Sequence, residues 1–359
     1  MYGGTVESGA RLCEGLVQAG ENVTVYTTTA NGKKELDVIA GKEYMIEGVK
    51  VTYFKRQTKD PLHFSYSLLK QVYKNCRQFD VVHIHSWWNI PAMVSAALCK
   101  MRKVKTVFSP HGMLSEYIIS HSNSRIKHWL HSAVGASLLR YMILHATAAA
   151  ELAECRQIIE GWKGAVIPNL IWLPTVEICK KQNEKFTLLF LSRIHPKKGL
   201  ELLFEAMAGT TMLLCLQIAG TGDEGYIASL QQKAKALGIE NKIEWLGWKG
   251  REEKFEVLAQ ADLFVLTSYN ENFANVVIEA LHTATPVLLT EGVGLSAFVQ
   301  EQGLGWICKA EPVSIKAALE AAIAGKQKRN RITDVAPSII NANFSPAELV
   351  PQYQQLYAS

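Results

Sequence analysis

The feature that most constrains this 359-residue chain is an alternation that runs through it twice. Short, almost continuously apolar, β-rich runs are separated by longer stretches with helical periodicity. In the first half the runs are VTVYTT from Val23, VKVTYF from Val49, VVHIHS from Val81, TVFSP from Thr106 and AVIPN from Ala165. In the second they are TLLFLSRI from Thr187, LLCLQIAG from Leu213, IEWLG from Ile243, DLFVLTS from Asp262 and TPVLLTEG from Thr285. Apolar runs without polar alternation suit parallel strands buried on both faces, and Leu200–Met207 and Tyr226–Leu237 between them read as helices. The expected fold class is therefore α/β, with two doubly wound, Rossmann-like domains facing across a cleft where ligands bind.

Length agrees, since domains of roughly 100–200 residues make two domains of such a chain. The seam is expected over Pro174–Lys185, where LPTVEICKKQNEK breaks the pattern with Pro, Gln, Asn and charge. That sets the expected domains at residues 1–178 and 185–340. The segment from Phe344 carries Ser345 at an N-cap, Pro346 at N1 and helically spaced apolar residues, so 344–359 is expected to be a terminal helix. Tyr2-Gly3-Gly4 reads as a glycine turn that should follow a strand, yet none precedes it. A missing central strand would leave its neighbours unpaired. The expectation is that the physiological start lies upstream, which a native protein beginning at Met1 by mass spectrometry would refute.

Composition narrows the class further. With 48% hydrophobic and 20% charged residues the chain is neither disordered, collagen-like nor a coiled coil. No apolar run approaches the roughly 18–20 residues of a membrane-spanning helix. Met1–Ala10 lacks a basic and then apolar leader pattern, so a cytoplasmic location is expected. The seven cysteines, at 13, 76, 99, 155, 179, 215 and 308, form no C-x-x-C pair and read as small apolar residues in a reducing compartment. The net charge of +5 is unevenly spread: residues 1–184 hold 22 Lys and Arg against 15 Asp and Glu, and the remainder 16 against 18. A solvated surface and attraction to an anionic lipid or phosphorylated substrate both stay open for the basic half. Nucleic acid is not an expected partner, because no recognition motif accompanies the charge.

Three constellations carry chemistry. SYNENFANVVIEALHTATPV, Ser268 to Val287, follows a buried strand and opens a helix. Helix-start N–H groups near Ala274 favour anions. Glu271 in the loop and Glu279 in the helix are carboxylates suited to accept from hydroxyls; ordinary acidic residues at a helix start are the alternative. In Ser192-Arg193-Ile194-His195-Pro196-Lys197-Lys198-Gly199, also after a strand, Arg193 can grip phosphate bidentately and Lys198 can act as a point charge. A solvated turn is the alternative there. Ile218-Ala219-Gly220-Thr221-Gly222 is a G-x-G turn lacking the third glycine of a dinucleotide fingerprint, so it is no argument for NAD. His111 in SPHGML is either a site residue or a turn histidine bonded to backbone. His83 and His85 alternate onto one face; no third ligand accompanies them, and satisfied cleft or core histidines are the favoured reading over a metal pair. No Asp-x-Asp occurs, which argues against a sugar transferase that holds its donor through a divalent ion.

Taken in order, SRIHPKKG, IAGTGD, IEWLGW, ADLFVLTSYNENFANVVIEALHTATPVL and GLGWI resemble the C-terminal domain of the retaining glycosyltransferases of family 4 (glycosyl transferases group 1), with GT-B architecture. Gly3-Gly4, VVHIHS, SPHGML, HATAAAE and VIPN resemble the N-terminal domain more loosely, and the terminal helix is similar to one that crosses back onto it. The resemblance implies that Arg193 and Lys198 neutralise the donor diphosphate, that Glu279 holds the ribose and that Glu271 holds the donor sugar. Backbone around Phe273, Ala274 and Asn275 would meet phosphate and sugar. Gly247 and Trp248 would lie at the nucleobase, with Gly220 and Gly222 in the donor site. Gly3 and Gly4 would approach the donor phosphate, His111 the reacting carbon, and Glu151 and Asn169 would line the cleft. Two departures stand out: Ala274 occupies a position where the family often has glycine, and Leu170-Ile171-Trp172 follow Asn169 in place of Gly-Ile-Asp.

The resulting expectation is a retaining, metal-independent hexosyltransferase without cofactor. Its donor substrate would be a nucleotide-diphospho-sugar, with UDP as the base suggested by the family, and its acceptor a saccharide, free or lipid-linked. Closure of the cleft would exclude water, and retention would proceed by same-face substitution assisted by the leaving phosphate. Tyr117–Ile143 mixes Ile, Leu, Trp and Met with Arg125, Lys127 and Arg140, so docking at the inner membrane face competes with packing on the N-terminal sheet. A nucleotide-sugar epimerase of the same fold and a catalytically silent sugar-nucleotide-binding protein are the alternatives.

Overall fold

The computed structural model describes residues 4–32, 34–58, 62–115, 135–174 and 185–359. The chain forms two compact units, Met1–Trp172 with Pro346–Ser359 and Leu173–Ser345. Gly3, most of the expected seam and the stretch 116–134 of the amphipathic segment lie outside the described residues.

The first unit opens with α1 (Gly4–Gln18), so Gly4 begins a helix. Strands β1 (Thr24–Thr28), β2 (Ala30–Asn31), β3 (Lys34–Glu35), β4 (Glu43–Ile46) and β5 (Val49–Phe54) follow. Then come α2 (Tyr66–Asn75), β6 (Val82–His85), α3 (Ile90–Arg102), β7 (Thr106–Ser109), α4 (Ala136–Tyr141), β8 (Ile143–Ala146), α5 (Ala149–Ile158) and β9 (Gly164–Val166). Local chemistry sets the helix starts: the Ser65 side chain accepts from Leu68 N–H, and Asn89 accepts from Ala92 N–H with Pro91 in the first turn.

The strands fall into separate sheets, ordered β1-β5-β4 and β6-β7-β8-β9, with β2-β3 as a small ribbon. This differs from the single doubly wound sheet expected of the first half. β1 and β6 each pair on one side only, and β4 joins β5 antiparallel because a tight turn links them. The β6-β7-β8-β9 sheet follows the period of two. One face, with Ile84, Phe108 and Leu144, packs with Trp87, Trp162, Leu138 and Leu139; the other, with Val107 and Ile167, packs with Leu12 and Leu16 of α1. Leu138 and Leu139 are the described end of the amphipathic segment, and there the packing reading holds.

The second unit runs β10 (Phe186–Leu191), α6 (Leu200–Ala208), β11 (Leu214–Ala219), α7 (Glu224–Ala236), β12 (Ile243–Gly247), α8 (Glu253–Gln260), β13 (Leu263–Leu266), α9 (Asn275–His282), β14 (Val287–Thr290), α10 (Ser296–Glu301), β15 (Gly305–Cys308), α11 (Pro312–Ala324) and α12 (Lys326–Phe344). Its six strands form one parallel sheet ordered β12-β11-β10-β13-β14-β15. β13 and β14 are buried at every position, as continuous apolar runs require. The order reverses between β10 and β13, the point where doubly wound sheets bind ligands beyond the strand C-termini.

The chain ends in α13 (Pro346–Ala358), which belongs to the first unit. Leu349, Val350, Tyr353 and Leu356 bury its apolar stripe against Leu12, Leu16, Val107, Ile167 and Leu170. No helix among the described residues is long and apolar enough to cross a membrane.

Candidate active site

In the second unit the expected residues gather at the sheet's switch point. Lys198, in the turn after β10, and Glu271, in the loop after β13, form an ion pair of 2.7 Å, with side chains 12% and 17% exposed. The turn is fixed from beneath: Thr267 Oγ1 donates to the carbonyl of Gly199 at 3.0 Å and Tyr269 N–H to that of Lys197 at 3.0 Å. Arg193 is exposed on the same turn. Partial burial and the charges of Arg193, Lys197 and Lys198 hold His195 below its ordinary value, with Glu271 opposing them. The turn is therefore a concentration of positive charge against which one carboxylate is set.

Gly220 and Gly222 bind the neighbouring loop to this turn. Ser192 N–H donates to Ala219 O and Ile194 N–H to Thr221 O, at 3.1 and 2.8 Å. A β-carbon on Gly220 would stand 1.9 Å from the Ser192 carbonyl oxygen, and one on Gly222 2.1 Å from that of Ile194. Only glycine allows the two backbones this close. Gly220 N–H in turn donates to Gly247 O at 2.8 Å, and Trp248, just beyond, is 61% exposed.

The helix α9 departs from a bare phosphate cradle. Ala274 is its N-cap and holds φ +69°, a left-handed conformation that explains why glycine suits this position. Phe273 is buried, with its ring edge-on to Phe344 at 6.2 Å, so its side chain anchors the loop and leaves only backbone for a ligand. Asn275 is the first residue of α9. Glu279, with its side chain 4% exposed, lies 2.6 Å from the Lys254 ammonium of α8. Lys254 was not legible as a site residue, since a lysine among Glu252, Glu253 and Glu256 reads as a solvated helix face.

The first unit supplies a different chemistry. His83 and His85 do share a face of β6, with rings 4.2 Å apart. His85 Nδ1 and His111 Nε2 are 2.9 Å apart. His83 meets Tyr357 hydroxyl at 2.8 Å and Ser109 Oγ at 2.7 Å; Ser109 Oγ meets His145 Nδ1 at 2.6 Å, and His145 Nε2 donates to Ile167 O at 2.9 Å. Burial lowers all four imidazoles, His85 and His145 to about 4 and His83 and His111 well below 6.5; repulsion from neighbouring rings adds to it for His83, His85 and His111, while the bond to Ile167 O opposes it for His145. They are neutral near pH 7. Among the described residues no three His, Cys, Asp or Glu are grouped to hold a metal ion. Glu151 is 3% exposed: one oxygen accepts Gly112 N–H at 2.6 Å, the other Thr147 N–H at 2.7 Å. It braces the turn that carries His111. Asn169 is 7% exposed. Ser109, His145 and Tyr357 went unread because their partners lie far apart in sequence.

Comparison with known proteins identifies the class. Residues 2–171 match the model of Glycosyltransferase Family 4 and residues 176–338 that of Glycosyl transferases group 1. The chain belongs to this family of glycosyltransferases, and its fold is GT-B. It is 23% identical to an uncharacterised glycosyltransferase of Methanocaldococcus jannaschii, over 96% of this chain and 92% of that one. It is 21% identical to the N-acetyl-alpha-D-glucosaminyl L-malate synthase of Bacillus anthracis, over 77% and 74%. Among solved structures, Anabaena HepE in complex with UDP and glucose superposes with TM-score 0.77 at 19% identity, covering 99% of this chain and 96% of that one. WaaG, a glycosyltransferase of lipopolysaccharide biosynthesis, gives 0.73 at 14% identity, covering 100% and 97%.

Proposed function

We propose that the protein is a retaining hexosyltransferase that moves a sugar from a UDP-sugar to a saccharide acceptor, free or lipid-linked, in glycoconjugate assembly. The observation that carries the reading is the Lys198–Glu271 pair at the switch point, beside Arg193 and Lys197. Bond cleavage at the anomeric carbon builds charge on the departing diphosphate. Cations already fixed in place stabilise that charge without reorganising at the moment of reaction. A carboxylate 2.7 Å from the ammonium then accepts hydroxyls of the sugar attached to the same diphosphate. Glu279, oriented by Lys254, accepts from the ribose, and exposed Trp248 offers a face to the base. His111, in the first unit, offers a neutral imidazole suited to hydrogen-bond a sugar hydroxyl. The positive side chains provide what a divalent ion provides elsewhere, so the proposed reaction needs none.

The fold shared with HepE supports the choice of base, since that protein was solved with UDP-glucose. The basic first half favours an acceptor or surface that carries negative charge, and the enzyme would work at the inner membrane face. Isothermal titration with UDP and UDP-glucose tests the core of the reading. Lys198→Ala should weaken both by about tenfold or more, the cost of losing a charge-assisted contact worth roughly 1.5–3 kcal/mol. Unchanged UDP binding in that variant would refute the assignment.

A further inference from the structure

We propose that His85 is the positioning residue of His111, tying to its own tautomer, through a single shared hydrogen, which ring nitrogen of His111 donates and which accepts. The inference rests on the reading that the His111 imidazole serves the reacting sugar, and it concerns how that ring is prepared.

The geometry admits little else. His85 Nδ1 and His111 Nε2 stand 2.9 Å apart, with the rings nearly parallel, 15° apart in plane and 5.2 Å between centres. Between two ring nitrogens there is room for one hydrogen, so one ring donates and the other accepts. For neutral rings the outer nitrogens follow from that choice. If His111 donates, its Nδ1 is bare and His85 Nε2 carries hydrogen; if His85 donates, the reverse holds. His111 therefore cannot change what it offers a substrate unless His85 changes with it.

His83 does not compete for this hydrogen. The Ile167 carbonyl can only accept, so His145 donates from Nε2 and its Nδ1 must accept from the Ser109 hydroxyl. Ser109 Oγ then accepts from His83 Nε2–H, and His83 Nδ1 accepts from Tyr357. Both nitrogens of His83 are thus committed, although its ring lies 4.2 Å from that of His85 and holds it in place. Among the described residues, Glu151 and Tyr353 also lie in this neighbourhood, the latter packed on the His145 ring at 4.9 Å, and Cys13 and Lys105 lie near Tyr357. The main chain is locked as well. His111 takes φ +51°, a left-handed conformation that a residue with a β-carbon adopts at a cost. Glu151 stabilises it by accepting from Gly112 N–H at 2.6 Å. A strained backbone braced by a buried carboxylate and a ring oriented by a second imidazole form a preorganised group.

Packing alone would make a different forecast, because phenylalanine fills the space of an imidazole. The test uses the full-length protein labelled with ¹⁵N-histidine, and long-range ¹H–¹⁵N spectra that report the hydrogen on each ring nitrogen. UDP-glucose is the probe, with release of UDP to water as turnover. In the wild type His111 should show one tautomer. In His85→Phe it should become a mixture of the two. Turnover should fall about tenfold or more, with KM for UDP-glucose changed less than about threefold. His85→Asn, which keeps a polar atom near the Nδ1 position, should restore one tautomer and most of the turnover. His85→Gln, which reaches toward Nε2, should restore neither. If His85→Phe melts or loses its response to UDP, the contrast between Asn and Gln decides. Unaltered His111 spectra and turnover in His85→Phe, while His111→Ala is slow, overturn the inference and leave the glycosyl-transfer reading intact. Unaltered turnover in His111→Ala overturns the role of His111 and the inference with it.

Discussion

All four residues of β13 and of β14 in the second unit are buried, whereas all five of β1 in the first are only half-buried. The second unit has one parallel sheet of six strands; the first divides its strands among smaller sheets. Their polar interiors differ in kind as well. The second holds opposite charges in contact, Lys198 with Glu271 and Lys254 with Glu279. The first holds uncharged imidazoles linked through hydroxyls, a carbonyl and each other. A site that neutralises a diphosphate needs fixed charge, and charge is best retained when each ion has a partner in the resting protein. A site that meets a sugar needs directional, neutral donors and acceptors. Under the proposed function, the second unit would supply the fixed charge and the first the neutral groups.

Acid should separate the units most strongly. Unfolded histidines protonate near 6.5, but His85 and His145 do so only at about 4 in the folded protein, and His83 and His111 are lowered too. The unfolded state then binds more protons below 6.5, so stability is present at pH 7 and is lost as pH falls from about 6.5 toward 4. The loss should reach about 5 kcal/mol in the first unit, against a smaller one in the second where only His195 is lowered, and residue-resolved hydrogen exchange at pH 7, 6 and 5 measures it. Equal loss in both units would break the contrast. Next in size is Glu279→Ala, which removes the carboxylate 2.6 Å from the Lys254 ammonium and should cost the second unit about 3 kcal/mol in urea unfolding. The double variant Lys254→Met with Glu279→Leu should recover most of that, showing that pairing rather than charge sets the stability. The smallest effect is Ala274→Gly, which relieves the φ of +69° and should raise the melting temperature of the second unit by about 2 °C. A lowered melting temperature would mean that the methyl packs well enough to offset its strain.

Legibility followed the range of the interaction. Nearly uninterrupted apolar runs exposed β10, β11, β13 and β14, because burial on both faces leaves its mark in the residues of the strand itself; β12, an edge strand with no buried position, was read from a shorter run. Ile143–Ala146 and Gly305–Cys308 were harder, since four residues containing His or Gly give too short a run; β4 pairs along an edge and shows no such run. Lys198 and Glu271 were readable from their place after buried strands. Their contact, which spans 73 positions in sequence, was not. Glu151 was read through the resemblance as a cleft residue, and the structure shows a buried brace for the His111 turn. A carboxylate that accepts from two backbone N–H groups and the nearby Thr147 hydroxyl leaves little in the sequence to betray it.

The helix α13 carries a consequence for how the molecule is made. The first unit needs Tyr353 in its core and Tyr357 on His83, and both lie within the last few residues of the chain. The 173 residues of the second unit are synthesised before them. At about 5–20 residues per second, roughly 10–35 s pass on the ribosome between the two pieces of the first unit. The usual order of birth is therefore inverted: the half made first is the half that matures last, with one side of its hydrophobic interior awaiting the final helix.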